Sequence, residues 1–183
     1  ISQGAYEAGG RLQPEPMQRA IEALGDFLEV ARAHNTRKIL CVATSALRDA
    51  PNGKAFVNEA YRQLGLQIKI IGGAKEAYLG GVAAMNLLPK QKRAVTVDIG
   101  GGSTELAVIE GTEVLQSYSL DIGTVRLKEL FFDAGRSDEA RDYIKQILSD
   151  LAISADTVIA IGGTARAISK SIMKTGDYPL DKL

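Results

Sequence analysis

Three segments of this chain run from apolar residues into adjacent glycines, and each carries polar groups suited to an anion. The richest is Val97-Asp98-Ile99-Gly100-Gly101-Gly102-Ser103-Thr104-Glu105-Leu106. Successive glycines let backbone N–H groups converge on a phosphate, and Ser103 and Thr104 add hydroxyl donors. Asp98 and Glu105 are hard-oxygen ligands suited to Mg²⁺ or to a positioned water. No Gly-Lys-Ser/Thr follows, so this is not a P-loop, and a strand rather than a helix is expected next, so it is not a dinucleotide fingerprint. A ligand-free glycine hairpin is the alternative. The second segment, Ile70-Ile71-Gly72-Gly73-Ala74-Lys75-Glu76, puts Glu76 in the first turn of a helix, as a general base for water or as a partner of the helix dipole. Lys75 reads as a solvated surface residue. The third, Ala160-Ile161-Gly162-Gly163-Thr164-Ala165-Arg166, echoes the first, and two such turns suggest a nucleotide or polyphosphate cleft; close strand–helix packing needs glycine as well. A further polar stretch, Thr44-Ser45-Ala46-Leu47-Arg48-Asp49-Ala50-Pro51-Asn52, follows a strand. There Ser45 and Arg48 either face phosphate or serve locally, Ser45 as a cap and Arg48 paired with Asp49.

The elements that must position these residues follow from periodicity. Met17, Ile21, Leu24, Leu28 and Ala31 recur at helical steps, after a Gln13-Pro14-Glu15-Pro16 start suited to a first turn. Strands are expected at 38–43 and 67–71, and helices at 54–64 and 74–88. Pro89-Lys90-Gln91-Lys92-Arg93 reads as a linker between lobes. Beyond it come strands at 94–98, 104–109 and 113–120, helices within 121–134 and at 137–151, then a strand at 157–161 feeding the last glycine turn and a further helix. Alternating strands and helices imply an α/β chain with a mostly parallel or mixed sheet under helices.

Composition bounds the function. The chain has 183 residues, with 22 Lys+Arg against 22 Asp+Glu, 45% hydrophobic and 24% charged residues. That is globular composition without the excess positive charge of a nucleic-acid or anionic-membrane binder, so neither partner is expected. Cys41, the single cysteine, lies in Ile39-Leu40-Cys41-Val42 and reads as a small core residue in a reducing, cytoplasmic setting. No apolar run approaches the ~20 residues of a membrane span. His34 stands alone at a helix end and reads as a capping or surface residue. The chain opens at Ile1 rather than Met and is expected to be a fragment.

Taken in order, Ala43 to Asn52, Ile71 to Ala77, Asp98 to Glu105 and Ile161 to Thr164 closely resemble the exopolyphosphatase/guanosine pentaphosphate phosphatase (Ppx/GppA) family. Ser119-Leu120-Asp121-Ile122-Gly123-Thr124-Val125-Arg126-Leu127 resembles the family's segment at that distance. The resemblance implies the two-lobed actin/Hsp70/sugar-kinase-like (ASKHA, ribonuclease H-like) fold, incomplete at both ends, with residues 1–92 in the first lobe and 93–183 in the second. It makes Glu76 the base that activates water, assigns Asp98 and Glu105 to Mg²⁺, and makes Gly100, Gly101, Gly102, Ser103 and Thr104 the phosphoryl cradle. Ser45 and Arg48 would contact phosphate from the opposite lobe, and Gly162 and Gly163 would line the chain or nucleotide side. The implied chemistry is in-line hydrolysis of a terminal phosphoanhydride in polyphosphate or guanosine pentaphosphate, with polyphosphate or a guanosine penta- or tetraphosphate as the small-molecule ligand; homodimerisation is a family expectation.

The family's N-terminal Asp-x-Gly-Ser-Asn-Ser loop has no counterpart before Ile39. Lys75 stands where an acid is common, and Tyr78 where an arginine is common. Weak or absent turnover is therefore expected of residues 1–183 alone. The alternatives are a non-hydrolysing polyphosphate or alarmone sensor, disfavoured because Glu76 and Asp98 are both present; a kinase or Hsp70-like ATPase of the same superfold, against which the Thr44–Asn52 stretch argues; and a folded but inactive fragment.

Overall fold

The computed structural model describes residues 1–89 and 92–176, so Lys90 and Gln91 of the expected linker lie outside the described residues. The elements in chain order are α1 (Pro14–Ala33), β1 (Cys41–Ala43), α2 (Ser45–Arg48), α3 (Gly53–Leu64), β2 (Ile68–Ile70), α4 (Gly73–Leu87), β3 (Ala94–Ile99), β4 (Thr104–Glu110), β5 (Glu113–Leu120), α5 (Thr124–Leu130), α6 (Ser137–Ser149), β6 (Thr157–Ile161) and α7 (Gly162–Gly176). A 3₁₀ turn at Phe132–Ala134 lies between α5 and α6. The chain divides into two compact units, one of Ile1–Gly72 with Lys128–Gly135, the other of Gly73–Leu127 with the chain from Arg136 onward.

The first unit is built on α1, whose apolar stripe buries Ile21 and Leu28. Ile21 joins Ala5, Leu12, Leu47, Ala50, Phe56 and Ala60 in one core, with Met17, Ala20 and Leu24 packed against it. Two polar straps hold the loops. The Glu129 carboxylate accepts the Gly4 and Tyr6 N–H groups at 2.7 and 3.0 Å. The Asn52 side chain accepts the Leu12 N–H at 2.9 Å and donates to the Leu12 carbonyl at 3.0 Å. β1 and β2 pair in parallel over three residues, Cys41 with Ile68 through Ala43 with Ile70. Both are shorter than expected, because β2 supplies only three partner residues; Leu40 lies outside the ladder, 80% exposed. The polar stretch from Thr44 to Asn52 contains the single helical turn α2, where the Thr44 carbonyl accepts the Leu47 and Arg48 N–H groups. Leu47 anchors it in the core.

The second unit is a four-stranded sheet in the order β5-β4-β3-β6. β3, β4 and β5 form the expected antiparallel meander, and β6 returns parallel to β3. β4 is buried from Thr104 to Ile109 because both faces of the sheet are covered. Leu106 and Val108 pack with Val95 on one face, against Leu151, Ile153 and Ala155. Ala107 and Ile109 alternate to the other face, which α4 covers. The helix approaches through glycine: a Cβ on Gly81 would lie 2.9 Å from the Ala107 Cβ and 3.2 Å from Val114 Cγ2. This packing groups α4 with the second unit, so the compact division at Gly72 falls earlier in the chain than the 92/93 lobe division expected from the charged segment. Among the described residues no helix is long and apolar enough to cross a membrane.

Candidate active site

β3 leaves the sheet at Ile99 and β4 begins at Thr104, with the Gly100 N–H donating to the Ser103 carbonyl at 2.9 Å to close the turn. The other carbonyls of the turn are tied to the start of α5. That of Gly100 accepts the Thr124 N–H at 2.9 Å, and that of Gly101 accepts the Val125 and Arg126 N–H groups at 2.9 and 3.1 Å. The Gly102 carbonyl accepts Arg126 Nε–H at 2.7 Å. In a trans peptide the C=O and the following N–H point in opposite directions, and the described residues contain no cis bond. Carbonyls turned toward α5 therefore aim the N–H groups of Gly101, Gly102 and Ser103 away from it, a row of three donors of the kind that holds an anion. Gly123 permits the approach, since a Cβ there would overlap the Gly101 carbonyl. Gly100 and Gly101 are half-buried while Gly102, Ser103 and Thr104 are buried, so the turn opens at its first two glycines. The Thr104 hydroxyl donates to the Ile122 carbonyl within the fold.

Asp98 and Glu105 are directly paired across the β3–β4 ladder, and Glu105 is paired in turn with Ser119 on β5. Residues paired in this way project to the same face. It is the Ala107 face, the one α4 covers. Glu105 is buried, and its Oε1 accepts the Ser119 hydroxyl at 2.8 Å. On the other side Asp98 pairs with Ile161 of β6. β3 and β6 are parallel, so their C-terminal ends and the two glycine turns lie side by side, where open α/β sheets bind ligands. The Thr164 hydroxyl donates to the Ile99 carbonyl at 2.6 Å, linking the turns. Gly162 has φ +85°, and a Cβ there would overlap Asp98 Oδ1. Gly163, itself exposed, follows in the first turn of α7.

Glu76 stands in the first turn of α4, one helical turn before Gly80, and a Cβ on Gly80 would lie 3.5 Å from Ile161 Cδ1. Residues i and i+4 share a helix face, so the packing that seats Gly80 on Ile161 also fixes the turn bearing Glu76. The second unit thus gathers Glu76, Asp98, Glu105 and both glycine turns. Ser45 and Arg48 belong to the first unit. Ser45 is buried at the head of α2, and Arg48 makes the local pairing its sequence allows, Nε to Asp49 Oδ1 at 3.3 Å and Nη1 to the Ile71 carbonyl at 3.4 Å. Lys75 lies over the Tyr78 ring, 4.4 Å from its centroid. His34 caps α1, and burial pushes the Cys41 thiol above its ordinary range.

Four contributors went unassigned in the sequence: Ser119, Gly123, Arg126 and the Thr164 hydroxyl. The first three lie in the Ser119–Leu127 segment, marked there only by its resemblance. The turn length alone would set Tyr118 opposite Glu105; the register shift between the Ile109–Val114 and Val108–Gln116 pairs brings Ser119 there instead.

Asp98 and Glu105 suit Mg²⁺, which takes one or two carboxylates and completes its shell with waters and substrate phosphates. Among the described residues no group of three or more His, Cys, Asp or Glu could hold a metal ion without such help.

A profile of the Ppx/GppA phosphatase family matches residues 1–183. Exopolyphosphatase 2 of Mycobacterium tuberculosis is 40% identical over 135 residues, covering 70% of this chain and 42% of that protein. The guanosine-5'-triphosphate,3'-diphosphate pyrophosphatase of Vibrio parahaemolyticus is 32% identical over 176 residues, covering 90% of this chain and 35% of that protein. The chain therefore spans less than half the length of these relatives. The crystal structure of the Aquifex aeolicus Ppx/GppA family member superimposes with a TM-score of 0.72 at 28% identity, covering 94% of this chain and 58% of that one. The fold is the expected actin/Hsp70/sugar-kinase-like one, and the chain belongs to the Ppx/GppA phosphatase family.

Proposed function

We propose that the protein carrying this chain is a Mg²⁺-dependent phosphoanhydride hydrolase that releases terminal phosphate from inorganic polyphosphate or guanosine pentaphosphate. The observation that carries this is the Gly100–Ser103 turn, with the Gly100, Gly101 and Gly102 carbonyls drawn to α5 and the following N–H groups turned away from it, beside the paired carboxylates Asp98 and Glu105. The names of the relatives support the substrate class.

In this reading the N–H groups of Gly101, Gly102 and Ser103 receive the transferring phosphoryl group, and their fixed orientation favours the charge that builds on its oxygens. Ser103 forms the floor, and Thr104 acts by bracing the turn through Ile122 rather than by donating its hydroxyl to phosphate. Asp98 and Glu105 hold Mg²⁺, with Ser119 fixing the Glu105 carboxylate; the ion supplies charge neutralisation for the phosphoryl oxygens. Glu76 accepts a proton from the attacking water, and Gly162 and Gly163 leave room for the rest of the polyanion. Ser45 and Arg48, in the polar 44–52 stretch, are further phosphate contacts in this reading. A cytoplasmic setting and a homodimer complete the proposal.

The test is phosphate release by the full-length protein with Mg²⁺ on long-chain polyphosphate and on guanosine pentaphosphate, for wild type and Glu76→Gln. Loss of a general base is expected to lower the rate about 10²- to 10⁴-fold. A Glu76→Gln protein as fast as wild type would remove Glu76 from the chemistry. Binding of either compound with equally slow release from both proteins would favour a sensor.

A further inference from the structure

Of the three N–H groups of the glycine turn that point away from α5, two are aimed by peptides that backbone donors hold and one by a peptide that a side chain alone holds. The Gly100 and Gly101 carbonyls, which set the Gly101 and Gly102 N–H groups, are bound by the N–H groups of Thr124, Val125 and Arg126, the Gly100 carbonyl accepting the Thr124 hydroxyl as well at 3.3 Å. Any residue but proline supplies such a donor at those positions. The Gly102 carbonyl, which shares a peptide plane with the Ser103 N–H, is bound by Arg126 Nε–H at 2.7 Å, a charge-assisted contact. The same guanidinium reaches Asp121 Oδ1 through Nη2 at 3.1 Å, and the Arg126 side chain is only 13% exposed. Two in-plane donors of the fork, at Nε and Nη2, are thus held at once, which fixes its orientation as well as its charge.

We infer that Arg126 is the positioning residue of the phosphate turn: by holding the Gly102 peptide it aims the Ser103 N–H at the phosphoryl group. Arg126 touches the turn rather than the substrate, and Asp121 holds Arg126 in place. The inference rests on the hydrolase reading above. A donor aimed in advance acts on the transition state more than on ground-state binding, so the effect falls on kcat rather than KM.

The experiment compares wild type, Arg126→Ala, Arg126→Lys and Asp121→Asn in the full-length protein. It measures kcat and KM on polyphosphate and guanosine pentaphosphate, together with amide hydrogen exchange. Arg126→Ala is expected to lower kcat about 10²-fold, the cost of a misplaced group, with KM within about threefold. Exchange should quicken at Thr124, Val125 and Arg126 and stay unchanged along β4. Arg126→Lys reaches the Gly102 carbonyl without the fork and should regain about tenfold of the lost kcat, while Asp121→Asn should lose less than about tenfold. A wild-type kcat in Arg126→Ala overturns the inference. So does a kcat loss accompanied by faster exchange throughout β4 and not regained by lysine, which marks a general structural role. Should Arg126→Ala not fold, the lysine and Asp121→Asn variants decide: lowered kcat at constant KM supports the inference, and wild-type kcat in both overturns it. Should wild type release no phosphate from either compound, the hydrolase reading fails by itself, and exchange at Thr124–Arg126 unaltered by the variants then overturns the clamp.

Discussion

Gly162 shows how one residue serves two demands. Its φ of +85° lies in the left-handed region, costing a side-chain-bearing residue about 1–2 kcal/mol, and any Cβ would overlap the carboxylate of Asp98. Gly162→Ala is therefore expected to lower the thermal midpoint of the full-length protein and, by displacing Asp98, to weaken Mg²⁺ activation of phosphate release. A titration of activity against Mg²⁺ that superimposes on wild type would show that Asp98 is not a ligand. The glycine pair was legible in the sequence as a strand-to-helix turn, but its reason was not. The overlap is with a residue 64 positions earlier, brought near by the parallel β3–β6 pairing.

At the scale of elements, α4 and the sheet meet through two adjacent glycines whose surroundings differ. A Cβ on Gly81 would lie 2.9 Å from Ala107 Cβ, tighter than packed carbon atoms tolerate, whereas on Gly80 it would lie 3.5 Å from the flexible end of Ile161. Alanine raises helix propensity by about 1 kcal/mol at both positions, and overpacking costs about 1–3 kcal/mol where the neighbour cannot yield. Gly81→Ala should thus lower stability to denaturant and Gly80→Ala should leave it equal or higher. Equal effects of the two variants would mean that the helix does not seat on β4 as described. The sequence placed a helix at 74–88, and the short side chains of α4 follow from that seat. The sequence expected Lys38–Ala43 to be one strand, whereas only its last three residues pair, because strand length is set jointly with the partner.

On the scale of the whole molecule, each compact unit carries its own apolar core, around Phe56 in the first and around Leu106 and Val108 in the second. Phe56→Ala removes a side chain 2% exposed and should destabilise the first unit by about 3–5 kcal/mol. Amide exchange is expected to quicken in α1 and α3 while β4 in the second unit keeps its protection. Equal acceleration in β4 would show that the two cores unfold as one. The first unit is completed by Lys128–Gly135, where Glu129 binds the N–H groups of Gly4 and Tyr6, more than 120 residues earlier. No local pattern announces such a closure.

What the sequence determined by itself was the order and kind of elements from β3 to α7, the two glycine turns and the acidic residues beside them. Those are local properties: apolar period, turn chemistry and a strand's end are all written within a few residues. Only the tertiary structure decided that Asp98, Glu105 and Ser119 stand in one cross-strand row, that the glycine turn hangs by its carbonyls from α5, and that Arg126 holds its last peptide. Register and the direction of a peptide plane depend on partners distant in the chain, and a residue's type does not encode which partner folding will bring to it.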